Sequence, residues 1–291
     1  MKSRLSKLFT PSKPLLFASN FIIEMTDQYF SQNKKLWNER VSVHLQSKFY
    51  DVEAFRKGAN SLKEIEMAEI AGEVAGKSLL HLQCHFGQDS LALARLGAQV
   101  TGIDFSDKAI EAAQQLNDEL GLNARFIQTN VYDLEQVLDG EFDVIFSTYG
   151  AIPWLPDLEK WAAIVSRFLK KGGIFYLAEF HPTLYLFNFD NYQVEYSYFT
   201  TAKPYEEKVQ GTYADDNSGI EETEFFWNHA TSEVVTPLLE NGLELLHLHE
   251  FDFSPYACFP NMVEREAGRY VWGADKFGVR LPHVFSLKKR K

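Results

Sequence analysis

Between residues 77 and 180 the chain alternates short apolar runs with amphipathic ones. Ser78–Gln83, Ala98–Ile103, Ala124–Thr129, Phe142–Ser147 and Ile174–Glu179 read as strands. Phe142–Ser147 is nearly all apolar, as a strand covered on both faces is expected to be. Ser90–Leu96, Asp107–Leu120 and Leu158–Leu169 read as helices between them. The last places Trp161, Ile164, Val165, Phe168 and Leu169 at i, i+3, i+4, i+7 and i+8, one apolar stripe. Gly97 and Gly121 follow the first two helices where a left-handed end residue is wanted. Strands alternating with helices predict an α/β fold, a doubly wound parallel sheet with helices on both faces.

The flanks differ. Residues 29–75 read as helical, with Trp37, Val41 and Leu45 on one face and a second helix over Leu62–Ala75. Residues 182–228 break the alternation and hold twelve aromatic side chains. Within them Gln193–Thr200 and Glu222–Trp227 read as antiparallel strands joined through the turn-rich Ala214–Gly219. This is an antiparallel, aromatic-rich insertion expected to roof a pocket. The pattern resumes over residues 229–291 with a helix at Ser232–Glu240 and strands at Leu243–His249 and His283–Leu287. Residues 1–25 carry four basic residues against the single acid Glu24 and lack the apolar core of a targeting peptide. They are set aside as a disordered tail, or as lying upstream of a natural start at Met25. One domain over 26–291 is expected: a helical lid at 29–75, a core at 77–181, the insertion, and a carboxyl-terminal part completing the sheet.

Composition narrows the functions. The 291 residues hold 29 basic and 40 acidic side chains, a net charge of −11. Such a surface is ill suited to a polyphosphate backbone, which argues against nucleic acid as partner. No apolar run reaches the ~18 residues of a membrane helix. Two cysteines exclude a disulfide framework and a four-cysteine zinc site. A cytoplasmic setting and a small-molecule partner are expected.

Ligands of a doubly wound sheet sit beyond the carboxyl ends of its central strands. The loop after the first strand, Leu82-Gln83-Cys84-His85-Phe86-Gly87-Gln88-Asp89, is therefore the place for chemistry. Gly87 permits a tight turn and close approach of a ligand, and Asp89 is placed to cap the next helix. The second strand ends at Asp104, 21 residues after Gln83, an acid suited to accepting the hydroxyl hydrogens of a ribose. No G-x-G-x-x-G or P-loop is present, which disfavours a pyrophosphate ligand and hence a nicotinamide oxidoreductase.

In Leu80–Asp89, Val100–Ser106, Thr129–Leu134, Phe142–Ser147 and Leu169–Gly173, taken in that order, the chain resembles the class I S-adenosylmethionine-dependent methyltransferases, and within them an uncharacterised bacterial branch. The family's first loop is D/E-x-G-x-G-x-G. Here those positions hold Gln83 through Asp89, with an amide for the acid and only Gly87 kept. The resemblance implies a Rossmann-like, seven-stranded, mostly parallel sheet and S-adenosylmethionine as cofactor. It implies cofactor contacts from Gln83, Cys84, His85, Gly87, Asp104, Phe105, Asn130, Val131, Tyr132 and Ser147. Asn130 would meet the adenine amino group through its side-chain oxygen, and Val131 would use its backbone N–H.

Trp37 and Arg40 are lid candidates. Tyr149 and Trp154, past the fourth strand, are candidates for the acceptor wall, joined by His229 at the end of the insertion. His181 lies two residues past Glu179, and the pair is a candidate base and orienter, with Tyr149 as a second catalytic candidate. His247 and His249 share a strand face and read as packing or solvent-exposed side chains. The expected activity is in-line methyl transfer to a small molecule, through alignment and, for a protonated acceptor, a general base. A non-catalytic S-adenosylmethionine-binding protein is the competing expectation.

Overall fold

The computed structural model describes residues 16–291, with side chains from residue 27 onward. Helix α1 (Leu16–Gln46) leads to the short helices α2 (Val52–Arg56) and α3 (Glu64–Glu69). The alternating core follows as β1 (Ser78–Leu82), α4 (Gln88–Arg95), β2 (Gln99–Asp104), α5 (Asp107–Glu119), β3 (Arg125–Gln128), α6 (Leu134–Val137), β4 (Phe142–Thr148), α7 (Leu158–Phe168) and β5 (Leu169–Phe180). An antiparallel pair, β6 (Tyr205–Gln210) and β7 (Glu221–Phe226), precedes α8 (Thr231–Glu240) and β8 (Glu244–Phe251). A hairpin of β9 (Val263–Glu266) and β10 (Arg269–Val271), the short α9 (Ala274–Phe277) and β11 (Val284–Arg290) complete the chain.

Seven strands form one sheet in the order β3-β2-β1-β4-β5-β11-β8, and β11 runs antiparallel to both its neighbours. Alternation along each strand separates two cores. Leu80, Leu82, Ile145, Phe175, Leu177, Phe285 and Leu287 face α7 and α8, meeting Trp161, Val165, Phe168, Val234 and Leu238. Leu79, Val144, Phe146, Tyr176 and Ala178 face the other way, against Phe55, Ile70, Leu91 and Leu116. The expected doubly wound sheet is this one. The chain reverses its winding between β1 and β4, so a crevice opens at their carboxyl ends.

Three expectations are corrected. Helix α1 begins at Leu16, so residues 16–25 of the supposed tail are helical; no proline falls between Pro14 and Pro153, and a nucleated helix extends at little cost. Residues 1–15 lie outside the described residues. Leu62–Ala75 is one short helix and a separate 3-10 turn at Ala71–Glu73, where Gly72 weakens helix continuation. The strand partner of β7 is β6, not Gln193–Thr200, which runs irregularly and meets Phe187 through one bridge at Val194. The hairpin at 263–271 has no counterpart among the elements expected from sequence.

The β6–β7 pair lies on α1. Asn33 exchanges two hydrogen bonds with the Phe225 backbone, at 2.7 and 2.9 Å, and Arg40 pairs with Glu224 at 2.9 Å. Asn38 fastens the same helix to the start of α5, accepting from Ser106 Oγ at 2.6 Å. Together α1 and the hairpin cover the crevice.

Candidate active site

Under that cover lies a cavity of about 680 Å³. One end is bounded by the β1 and β2 loops, with Gln83, His85, Asp104 and Phe105; the other by aromatic rings including Phe49, Tyr149, Tyr256 and Phe259. The first end is organised by Asp104. Its two oxygens accept from the backbone N–H of His85 at 2.9 Å and of Ser106 at 2.8 Å. Each oxygen keeps a lone pair for a further donor. Burial lifts the Asp104 carboxyl to about 6, against the pull of the Ser106, His85 and Phe105 N–H groups.

The loop between β1 and α4 keeps the conformation of a glycine-rich turn without most of the glycines. Gln83 (φ 55°), His85 (φ 51°) and Gly87 (φ 76°) all adopt positive φ. His85 bears this because its ring is clamped: Nε2 lies 2.8 Å from His44 Nδ1 on α1, and the ring meets Trp37 edge-on at 5.3 Å. Burial pushes the His85 imidazole down to about 3, so the clamp is neutral. Gly87 has a second reason to be glycine. A Cβ there would lie 2.7 Å from the Phe126 ring and 3.0 Å from Ala113, so the residue is held by its packing partners beneath the loop. Cys84 is buried against Gly102, and burial raises its thiol well above the ordinary value, which leaves no thiolate.

The residues present fit an adenosylated amino acid. Gln83 donates through Nε2 to the Ala151 carbonyl at 2.9 Å, while its Oε1 is buried with no partner and is left as an acceptor at the cavity wall. An ammonium is the donor such an acceptor would satisfy, and the Asp104 carboxylate suits a ribose. Trp37, Cys84, Gly87, Phe105, Asn130, Val131, Tyr149 and Trp154 also line the cavity.

Four expected site residues lie elsewhere. Ser147 is fully buried in β4, and Tyr132 turns its hydroxyl to Asp157, accepting from its N–H at 3.0 Å. His229 is a latch: Nε2 meets the Leu155 carbonyl at 2.7 Å and Nδ1 meets Thr200 Oγ1 at 2.7 Å. His181 is not paired with Glu179. Its Nε2 lies 2.8 Å from Glu250 on β8, and its Nδ1 accepts from Thr183 N–H. Strand pairing explains this, because His181 N–H is drawn to the His283 carbonyl beside β8. Glu179 turns the other way and accepts from the N–H groups of Gly150, Ala151, Ile152 and Phe180 at 2.5–2.9 Å. It thereby shapes the loop that carries Tyr149 and the Ala151 carbonyl holding Gln83. Two further roles change. Asn130 Oδ1 caps the following turn by accepting from Tyr132 N–H. Asp89 lies inside the first turn of α4, Gly87 holds the cap position, and Asp89 lines the cavity beside Ser61 and Lys63.

Other groups carried no signal in the sequence pattern. Glu66 is fully buried with both oxygens unpartnered, and burial raises its carboxyl to about 8. Nearby, the Tyr149 hydroxyl is also buried without a partner, and burial lifts its pKa far above the ordinary value. Glu207 and Glu224 enter the cavity wall from the hairpin.

A parallel sheet in this strand order, with a carboxylate at the end of β2 over a glycine-type turn, defines an α/β fold for a nucleoside cofactor. Residues 79–173 match the sequence model of the family described as "Methyltransferase domain". A ubiquinone biosynthesis O-methyltransferase of Xanthomonas euvesicatoria pv. vesicatoria is 27% identical over 141 residues, which are 48% of this chain and 59% of that one. The match thus spans about three-fifths of that relative's length. Among solved structures, an S-adenosylmethionine-dependent methyltransferase of Mesorhizobium loti superposes with a TM-score of 0.51 at 17% identity, over 81% of this chain and 100% of that one. A [4+2]-cyclase, SpnF, superposes with a TM-score of 0.50 at 18% identity, over 76% and 77%. Residues 79–173 are thus similar to a methyltransferase domain, and the Asp104 and Gln83 end of the cavity suits the ribose and ammonium of S-adenosylmethionine. Among the described residues no helix is long and apolar enough to cross a membrane.

Proposed function

We propose that this protein transfers a methyl group from S-adenosylmethionine to a small, largely apolar organic molecule. The carrying observation is the single cavity that joins the Asp104–Gln83 end to a recess walled by aromatic rings. When bound, the cofactor supplies a methyl group activated on a sulfonium. The chain's own part is positioning. Asp104 holds the sugar hydroxyls, Gln83 the ammonium, and Trp37 closes the face toward α1. Tyr149, Tyr256 and Phe259 form the wall against which a flat acceptor lies. Holding two reactants in register is worth as much as ~7–11 kcal/mol of barrier.

The acceptor is uncharged or cationic. Asp51, Asp89, Asp190, Glu207 and Glu224 line the cavity away from Asp104, against Arg40 and Lys63. Arg40 is already paired with Glu224, and Lys63 lies 4.9 Å over the Tyr256 ring. The proton of a hydroxyl or amine acceptor passes to a carboxylate of this set, Asp89 at the start of α4 being one. Tyr149 orients the acceptor and is no base at neutral pH, because its phenol stays protonated. The two cysteines are unpaired, in keeping with action in the cytoplasm.

Incubation with S-adenosylmethionine and a panel of phenols, catechols and amines, read by S-adenosylhomocysteine release, tests this reading. Turnover with at least one member supports it. Tight cofactor binding without turnover on any member favours the second reading, a non-catalytic binder. That reading has its own support: among the described residues no histidine base faces the acceptor recess as His181 was expected to.

A further inference from the structure

We propose that Glu69, His247 and His249 form a binding site for a divalent transition-metal ion of the zinc class, at the outer edge of the sheet. None of the three lines the cavity, so the site is separate from the methyl-transfer site and independent of its assignment.

His247 and His249 alternate on β8, which places both on one face of the terminal strand. Their rings are parallel within 7° and stacked at 4.2 Å. Glu69, the last residue of α3, reaches over them. Its Oε1 lies 2.6 Å from His249 Nδ1 and its Oε2 lies 3.7 Å from His247 Nε2. All three ligand atoms fall within 4.8 Å of one another. Ligand bonds of ~2.1 Å at tetrahedral angles place donor atoms roughly 3.4 Å apart, so side-chain shifts of about 1 Å are enough to close the site.

Two observations point to a ligand rather than to a finished hydrogen-bond network. His247 Nε2 is buried with no hydrogen-bond partner. The Tyr176 hydroxyl donates to Glu69 Oε2 at 3.0 Å, the kind of outer hydrogen bond that fixes a ligating carboxylate. The nearby ammonium of Lys288 does not stand against a cation here. It is turned to the Glu69 carbonyl at 2.8 Å and the Glu73 carboxylate at 2.5 Å. Two imidazoles and one carboxylate select zinc-like ions over magnesium or calcium, and three protein ligands leave a position for water. A bound ion would fasten α3 to the sheet edge and so hold the segment that buries Ile65 and Glu66.

The test uses the full chain without an affinity tag, stripped with chelator, dialysed, and titrated with zinc chloride by calorimetry and thermal unfolding. Saturable binding of one zinc ion per chain with a raised Tm is expected, unaffected by millimolar magnesium. His249 is 52% exposed, so His249→Ala keeps the fold; it and Glu69→Gln are each expected to weaken zinc binding at least ~10-fold. S-adenosylmethionine binding by the same variants stays at the wild-type level, which separates this site from the cavity. No heat and no Tm shift with zinc would overturn the proposal. So would zinc affinity unchanged in both His247→Ala and His249→Ala.

Discussion

The two ends of the cavity are built on different principles. The cofactor end is made of consecutive backbone. Within 83–87 and 104–106 the N–H groups of neighbouring residues turn onto one carboxylate, and three positive φ angles bend the loop around it. The acceptor end is made of side chains from remote segments: Phe49 after α1, Tyr149 after β4, Tyr256 and Phe259 after β8, and Glu224 from β7. The first kind of construction tolerates changes of residue type as long as the backbone path survives, which is how Gln83 and His85 stand where the family has an acid and a glycine. The second kind depends on every ring in the wall, so specificity resides there.

Glu179 is where the two ends meet, and its removal is expected to have the largest effect. Glu179→Ala strands four N–H donors inside the protein and is expected to cost about 3–5 kcal/mol in urea unfolding. A loss below 1 kcal/mol would show that the 150–152 loop stands without it.

Glu66 sharpens the comparison through pH. Its folded pKa of about 8 lies above the ordinary 4.5, so the folded state holds the proton more tightly than the unfolded chain. Stability from this group is therefore complete below pH 4.5 and is lost as pH rises toward 8, by up to about 1.4 kcal/mol per unit. Glu66→Gln should remove that slope, so unfolding at pH 5 and pH 9 should show the variant gaining on wild type at the higher pH. Parallel pH profiles for the two proteins would contradict a buried, unpartnered carboxylate.

Asp104→Ala is expected to weaken S-adenosylmethionine binding by about 1–3 kcal/mol in calorimetry and to leave the acceptor KM nearly unchanged. Equal damage to both constants would mean that the two ends are not separable. In wild type, cofactor affinity is expected to fall as pH drops through about 6, where Asp104 takes up its proton. The smallest effect belongs to His181→Ala. Its imidazole faces Glu250 outside the cavity, so single-turnover methyl transfer should proceed at the wild-type rate. A drop of ~100-fold or more would restore it as a base.

Much of the frame is legible from local pattern. The strands from β1 to β5, the helices between them and the carboxylate at the end of β2 follow from runs of two- and four-residue periodicity, with glycines where helices stop. The lid was partly legible as well, since Trp37 and Arg40 lie on one face of a helical repeat. What escaped the pattern was pairing. Glu179 and His181 look like partners along a strand, but β5 lies between a loop that offers four N–H groups and a strand that offers Glu250, so the two side chains part. In the same way Gly87 looked like a ligand-facing glycine until Phe126 and Ala113 closed beneath it.

The sequence by itself settled the order of elements from β1 to β5, the doubly wound sheet and the place of Asp104, because apolar periodicity and chain direction are properties of neighbouring residues. Only the tertiary structure decided that β6 partners β7, that the unpartnered Gln83 oxygen and the aromatic wall share one cavity, and that Glu69 meets two histidines from a strand 180 residues away. Those contacts join residues that no local repeat connects. Packing brings them together, and each buried polar group then takes the nearest partner the fold supplies.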